Sequence, residues 1–195
     1  MLETIDGRYA YLAITGSERQ FTASLIAQTF GGVVIEDGKE NPYLRDYVLD
    51  STNWAFRYWT EALSNGQEQM EKIVKALPTT SVVAGWFQEA YLGAEAQYRK
   101  GVITPSEWEA LASIYTVLSR NLPQPDLIVW LDKPDGHDGL LRGLYTSWFE
   151  TNASDSMCMF DATRFDLGTR ESDQHEFLNR LEHRFLGHGI VYRYS

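Results

Sequence analysis

Short apolar runs alternate with longer amphipathic stretches along this chain, and this alternation is the feature that most constrains its fold. Runs with the composition of buried strands lie at 11–15, 32–36, 81–85 and 126–132, with a weaker fifth at 156–162. Helical spacing occupies 22–30, one or two helices within 42–77, and 87–100, 105–121 and 172–186. Strands separated by helices predict a parallel sheet covered on both faces. We therefore expect a single α/β domain over residues 1–195.

Composition and charge exclude several classes of function. The formal net charge is −10 with no cluster of Lys or Arg, so the chain should repel a phosphate backbone and we expect no nucleic-acid binding. No run is long enough to span a membrane and the N-terminus is unlike a signal peptide, so we expect a cytoplasmic protein without membrane contact. Cys158 is the single cysteine, and its apolar neighbours predict a buried, inert thiol.

The predicted strand ends converge on one place in the fold. In open parallel sheets, ligands bind beyond the carboxyl ends of the strands. This rule places the 16–23 loop, Glu36–Asp37, Ala84–Trp86 and Asp132–Lys133 around a single crevice. The layout is typical of a nucleotide kinase.

Gly16 ends the first predicted strand, where a kinase would carry its phosphate-binding loop. The loop pattern G-x-x-x-x-G-K-[ST] supplies backbone N–H groups, a lysine for the phosphates and a hydroxyl for magnesium. Counted from Gly16, the last three positions of the pattern read Phe21, Thr22 and Ala23. None of these side chains can supply the chemistry of the residue that it replaces.

Two further residues near Gly16 carry groups that could substitute for the missing magnesium and phosphate contacts. Ser24 carries a hydroxyl but lies one position late for the magnesium ligand. Arg19 could reach a phosphate from within the loop, although solvent exposure is the simpler expectation for it. The sequence therefore predicts a degenerate phosphate loop.

Four segments resemble the deoxynucleoside kinases, especially their compact bacterial and viral type. They are "VVIEDGKENPYLRDYVLDSTNWAF", "LPQPDLIVWLD", "GLLRG" and "MFDATRFDL", which occur in the family's order and spacing over nearly the whole chain. The resemblance implies a P-loop-kinase-like fold, with a five-stranded parallel sheet flanked by helices. A chain this short suits a phage or bacterial member.

The resemblance also assigns positions around the substrate pocket. Glu36 occupies the position of the family's general base, and Asp37 replaces the proline that normally follows it. The sugar-binding tyrosine aligns with Val48, next to Tyr47. In "WAFRYW", which contains Phe56, Trp59 stands where the family has a base-pairing glutamine, an exchange that removes the two-sided amide contact.

The remaining catalytic parts of the family are also replaced. The family's Asp-Arg-Ser at the end of the third strand reads Ala84-Gly85-Trp86 here, and Arg142 is the only basic residue where an arginine-rich lid is expected. We expect Phe21, Trp59 and Trp86 to project into the vacated site and fill it. Only Glu36 remains as a candidate vestigial base.

These replacements predict a catalytically degenerate protein that acts by binding, in a regulatory, structural or inhibitory role. Neither a cofactor nor a metal ion is expected. One alternative is an active kinase or transferase whose rearranged site uses Glu36, with Lys39 or Lys133 supplying positive charge. A third possibility is a sensor that binds a nucleoside weakly without phosphorylating it.

Helical spacing over 105–121 predicts an assembly surface. The stripe consists of Trp108, Leu111, Ala112, Tyr115 and Leu118. The resemblance implies a dimer through this segment and 42–64, so we expect a homodimer or another protein partner.

Three features of the C-terminal part of the sequence carry further predictions. His175 and His183 lie two helical turns apart, too far to share a metal ion without outside ligands. "GHGIVYRYS" alternates apolar and polar residues like an edge strand or a docking tail. Ser172 or Asp173 is expected to cap the last helix, and Gly187 to end it.

Overall fold

The structure, a computed structural model, describes residues 2–4, 7, 9–36, 40–76, 79–120, 122–133, 138–152 and 156–192. The strands are β1 (Leu2–Thr4), β2 (Tyr11–Gly16), β3 (Val33–Ile35), β4 (Ser81–Ala84), β5 (Leu127–Asp132), β6 (Met157–Asp161) and β7 (Ile190–Tyr192). The helices are α1 (Arg19–Phe30), α2 (Leu44–Leu49), α3 (Ser51–Ala76), α4 (Phe87–Arg99), α5 (Pro105–Ser119), α6 (Gly139–Asn152) and α7 (Glu171–Gly187), with a short 3-10 helix at Ala162–Arg164.

Five of these strands form the predicted parallel sheet. Their order is β3-β4-β2-β5-β6, and each neighbouring pair is parallel. Each of the five apolar runs forms one of these strands, so the prediction of a helix-flanked, five-stranded parallel sheet is confirmed. The apolar runs are recognisable because strands buried on both faces need little alternation.

A second sheet joins the two ends of the chain. β1 pairs antiparallel with β7, with Leu2 opposite Tyr192. The C-terminal segment therefore contains the predicted strand, but its partner is the N-terminal strand and not the edge of the main sheet. β1 has only three residues, too few for a period to be visible in the sequence.

Alternate side chains of the parallel sheet belong to two separate cores. The α1/α7 face packs Ile14, Val129 and Phe160 against α1 and α7. The α3–α6 face packs Ala13 and Trp130 against helices α3 to α6. Side chains of successive strand residues point to opposite faces, so each strand contributes to both cores.

The start of α5 follows a local capping rule, whereas the residue expected to cap α7 makes a different contact. Thr104 and Glu107 form the predicted capping box at the start of α5, with Pro105 in its first turn. The expected cap of α7 by Ser172 or Asp173 is wrong, because the helix begins at Glu171. The Asp173 carboxylate instead accepts the backbone N–H of Asp166, at 2.9 Å.

The described part of the chain contains no membrane-spanning helix, and its cysteine is buried. No helix in these ranges combines the length and apolar character needed to cross a bilayer. Cys158 is buried in β6 as predicted, and burial raises the pKa of its thiol to about 12. A thiol with so high a pKa stays protonated and unreactive at neutral pH.

Candidate functional site

A cavity of about 320 Å³ lies between α3, α4, α6 and the N-terminus of α1, beyond the carboxyl ends of β2 and β4. This is where the topology of a parallel sheet places a ligand. Aromatic rings form much of its wall, and charged and amide groups line the remainder. The expected pocket filling is therefore wrong, because an open space remains beside Trp59 and Trp86.

An ion pair between α1 and α4 lines one side of the cavity. Arg19, the first residue of α1, donates from Nη1 to Oε2 of Glu89 at 2.6 Å. The simpler expectation that Arg19 faces solvent is wrong, because Glu89 lies in the first turn of α4 and faces the start of α1. Burial raises the pKa of the neighbouring Tyr145 phenol well above its usual value, and the Glu89 carboxylate raises it further.

Amide side chains line the α3 side of the cavity. The Gln69 amide is buried, and its Nε2 lies 3.4 Å from the carbonyl oxygens of both Glu36 and Ala84. Asn41 donates from Nδ2 to the Tyr58 carbonyl at 2.8 Å. The Gln69 amide is therefore held at the ends of β3 and β4, and the Asn41 amide is held against α3.

Trp86 is a buried ring of the cavity wall. It stacks on Phe149 with centroids 5.3 Å apart and meets the edge of Trp148 at 4.4 Å. Its Nε1 is buried without a hydrogen-bond partner among the described residues. An unpaired buried N–H costs free energy.

Trp59 closes the opposite part of the wall by lying over a glycine. A Cβ atom placed on Gly93 of α4 would overlap the six-membered ring of Trp59. Trp59 also meets the edges of Tyr58 and Tyr47. Gly93 is therefore needed to seat the indole beside the cavity.

The connection from β2 to α1 is much shorter than a phosphate loop. It contains only Ser17 and Glu18, since β2 ends at Gly16 and α1 begins at Arg19. Gly16 has φ of +93°, and a Cβ atom there would overlap the Leu131 carbonyl, so the turn requires glycine. The expected loop over 16–23 is wrong, because five of its eight residues belong to the helix.

This tight turn determines where the counted loop positions lie. Thr22 and Ala23 are fully buried on α1, and Ala23 belongs to the core of the α1/α7 face, whereas Phe21 is 41% exposed and does not line the cavity. Phe21 does not fill the former site. Ser24 donates its hydroxyl to the Gln20 carbonyl at 3.1 Å, one helical turn back.

The other predicted pocket residues separate into two groups. Tyr47 is half-buried and stacks on Tyr58 at 4.4 Å, and Phe56 packs partly buried against the same core. Glu36 is exposed and does not line the cavity, and Val48 is 72% exposed on α2. Of the predicted pocket residues, only Trp59 and Trp86 therefore line the cavity, while Tyr47 and Phe56 pack in the neighbouring core.

The site contains residues that the sequence patterns did not identify. On α3 they have a common helical spacing, which is the signal that could have revealed them. They are Ala62, Asn65, Gly66 and Gln69 on α3, and Glu89, Ala90 and Tyr145 on α4 and α6.

No protein-family model matches this chain, and no curated protein matches it in sequence. Solved structures of deoxyadenosine kinase from M. mycoides are similar to it. The structure with bound dATP is 14% identical, with a TM-score of 0.69 over 89% of this chain and 99% of that one. The structure with bound dCTP is 16% identical, with a TM-score of 0.67 over 89% and 98%. The chain has a deoxynucleoside kinase-like fold.

In this kinase-like fold, Asp132 ends β5 with a buried carboxylate. It is paired with Arg142 of α6, whose Nη2 and Nε donate at 2.7 and 3.1 Å. The only basic residue predicted for the lid segment is thus engaged within the protein. Lys133 is exposed, and Asp37 and Lys39 lie outside the described residues.

The stripe predicted as an assembly surface is the inward side of α5. Leu111 is fully buried, and Trp108 stacks on Tyr98 at 5.3 Å. Tyr115 stacks on Tyr91 at 4.1 Å. The prediction is wrong for Leu111, because α4 and α3 already cover this side of the helix; Leu118 and Ala112 are partly buried.

Metal ligands do not cluster in the described ranges. No group of three or more His, Cys, Asp or Glu there could hold a metal ion. The candidate site is therefore the cavity with its Arg19–Glu89 pair.

Proposed function

We propose that this deoxynucleoside kinase-like protein does not transfer phosphate from ATP and acts by binding, as a cytoplasmic protein with a second copy or another protein as its partner. The observation that carries the proposal is the two-residue turn between β2 and α1. A phosphate loop surrounds the phosphates with several consecutive backbone N–H groups. Ser17 and Glu18 are too few to form such a loop.

The charges around the turn support the same proposal. The position of the phosphate-binding lysine is Thr22, buried in the core. Arg19 is paired with Glu89, and Arg142 with Asp132. Recruiting either guanidinium to a phosphate would leave its carboxylate without its counter-ion.

The missing lid is part of the proposal. α6 runs without a break from Gly139 to Asn152, through the segment in which the resemblance places an arginine-rich lid. Positioned cations that stabilise the transferring phosphoryl group each contribute roughly 10²–10⁵ in rate. Losing the lysine, the magnesium ligand and the lid arginines together would leave no useful turnover.

A rearranged active site built on Glu36 has less support. Its carboxylate is exposed and outside the cavity. A general base must come within hydrogen-bond reach of the hydroxyl that it deprotonates. Lys133, the described candidate for the missing cation, is also exposed.

The test is a kinase assay with ATP–Mg²⁺ and the four deoxynucleosides, with product nucleotides separated by chromatography. M. mycoides deoxyadenosine kinase is the positive control. We expect no product and no increase in melting temperature with millimolar ATP–Mg²⁺. Turnover that disappears in Glu36→Gln, or an ATP-induced shift that disappears in Arg19→Gln, would contradict the proposal.

A second candidate function is nucleoside binding without phosphorylation, and the cavity is the observation that favours it. The similar M. mycoides structures hold dATP or dCTP. Here the open space is bordered by the side chains of Trp59, Gln69 and Trp86. A base between rings and a hydroxyl near an amide would suit these groups.

Calorimetry with deoxyadenosine and deoxycytidine tests this candidate. We expect a Kd in the micromolar to millimolar range and no added affinity from a 5′-phosphate, since Arg19 is already paired. The matched variants are Gly93→Ala, which moves Trp59 toward the cavity, and Gly143→Ala, which meets no neighbouring atom. Binding that is equal in both variants would place the nucleoside elsewhere.

A further inference from the structure

A groove of about 520 Å³ lies at the end of the main sheet farthest from β3, on the outer side of β6. We call it the β6 groove; it is lined by Met159, Phe160, Arg164, Phe165, Arg180 and Arg184, among others. Met159 and Phe160 are neighbours in one strand and point to opposite faces of the sheet. A space that both residues line must run along the edge of the strand.

The edge strand β6 contains no lysine or proline and is longer than the opposite edge strand β3. Native edge strands are kept short or carry lysine, proline or a bulge. β3, at the other end of the sheet, has only three residues, whereas β6 has five, with the sequence MCMFD. Met159 is 54% exposed. In the described part of the chain, no strand lies beside the outer edge of β6.

Basic side chains surround this edge in a chain whose formal charge is −10. Arg180 and Arg184 project from one flank of α7, and Arg164 follows the end of β6. Arg164 pairs with Asp161 and Arg180 with Glu176. The Arg184 guanidinium forms no ion pair with any described residue, and His183 lies beside it in the groove.

The floor of the groove is apolar and its shape is fixed. Phe165 packs edge-on against Phe160 and Phe177, with centroids 6.3 and 5.9 Å apart. The Arg180 guanidinium lies 5.5 Å above the Phe165 ring. Such a cation–π contact holds the arginine beside the groove.

We propose that the β6 groove binds an extended acidic segment of a partner protein, which adds a strand to β6. Five residues of strand span about 17 Å. Backbone hydrogen bonds to β6 would hold the segment, apolar side chains would cover Met159, and carboxylates would face Arg184 and its neighbours. This inference goes beyond the proposed function, since it holds whether or not the chain transfers phosphate.

The probe is a fluorescein-labelled ten-residue peptide that alternates Glu and Val, measured by fluorescence anisotropy without nucleotide. We expect saturable binding that weakens as salt increases, because the charges involved are exposed. The same peptide with Lys for Glu should not bind. A version with N-methylated valines, which cannot donate those backbone hydrogen bonds, should bind at least tenfold more weakly.

Matched charge reversals locate the site. Arg184→Glu should weaken binding at least tenfold. Arg120→Glu changes an exposed arginine directly after α5 and outside the groove, and it should alter binding less than twofold. Met159→Lys separates the two contributions to binding. It adds positive charge but removes apolar contact, so we expect weaker binding; stronger binding would show a purely electrostatic surface.

Four results would overturn the proposal: no binding of the Glu–Val peptide, equal binding of its N-methylated version, equal loss in the Arg184 and Arg120 variants, or equal competition by a DNA duplex of the same charge. The last result would identify a general polyanion surface. None of these results depends on the outcome of the kinase assay, so the two proposals fail separately.

Discussion

The two faces of the sheet differ in how completely they are packed. On the α1/α7 face, small and branched side chains of α1 meet the phenylalanines of α7, and Phe30 contacts Phe185 edge-on at 5.0 Å. On the α3–α6 face, indole and phenol rings predominate, and the cavity of about 320 Å³ remains among them. The centre of the first face is a closed core with a groove only at its β6 edge, whereas the second face keeps a cavity between its helices.

The turn between β2 and α1 affects the two faces of the sheet differently. The two-residue turn after Gly16 lets α1 begin early and draws Thr22 into the closed core. The walls of the cavity lie mainly on α3, α4 and α6, so that shortening leaves the cavity open. A two-residue turn between β2 and α1 and an open cavity therefore occur together in this fold.

Thr22→Lys should lower the free energy of unfolding most, because it places the lysine of the loop pattern inside the closed core. An ammonium group at a fully buried position, together with overpacking, should lower the free energy of unfolding by about 5 kcal/mol. Phe21→Lys is the control, since Phe21 is 41% exposed; it should change stability by less than about 1 kcal/mol. Urea denaturation measures both variants. A stable Thr22→Lys protein that gains ATP binding would contradict the comparison.

On the α3–α6 face, Trp86→Ser should lower the free energy of unfolding most. Trp86 is buried and stacked on Phe149, so its removal should cost about 3–5 kcal/mol in the free energy of unfolding. Urea denaturation followed by circular dichroism is the measurement. A neutral variant that gains nucleoside binding would show that Trp86 blocks the mouth of the pocket.

Gly93→Ala should have an intermediate effect. The added methyl group displaces the Trp59 ring, and we expect a loss of about 1–3 kcal/mol. Gly143→Ala adds the same methyl group to α6 where no atom lies within 4 Å, and it should be stabilising by about 0.5–1 kcal/mol. The pair of melting temperatures should move in opposite directions. If both rise, Trp59 is loosely held and the cavity wall is adaptable.

The smallest predicted effect is a pH dependence of the free energy of unfolding, caused by the buried Cys158 thiol. Its thiol has a pKa of about 12 in the folded chain against 9.0 as the ordinary value, because of burial. Between these values the unfolded chain binds fewer protons than the folded one, so stability falls as pH rises above 9. The loss should reach about 1.4 kcal/mol at pH 10.

The control for this pH effect is Cys158→Ala. The variant lacks the thiol, so its stability should decline less steeply between pH 8 and pH 10, whatever its stability at pH 7. Parallel curves for the two proteins would mean that the thiol is accessible to solvent and that the core is open there.

The sequence predicts those parts of this molecule that depend on local pattern. The five apolar runs became strands, and three of them, β2, β4 and β5, are buried on both faces. Thr104 and Glu107 lie close enough in sequence for their cap to be predicted directly. The resemblance correctly implied the fold. It did not reveal the cavity, because the spaces between large rings depend on how the rings pack.

The site was less predictable because its decisive contacts are distant in sequence. Arg19 and Glu89 are 70 positions apart, and no periodicity links them. The pattern counted from Gly16 also presumed a loop of ordinary length, whereas Gly16 and Glu18 both adopt positive φ and turn the chain at once into helix. Backbone geometry of this kind leaves only a weak signal in the residue types.

Pairing of Leu2 with Tyr192 has a consequence for the order of events during synthesis. All five strands of the parallel sheet have been made once Asp161 is added, but β1 then still lacks its partner. At about 5–20 residues per second, the ribosome takes roughly 10–40 s to travel from β1 to β7. Throughout that interval β1 lacks its pairing partner β7, although Leu2 of β1 is fully buried in the finished protein.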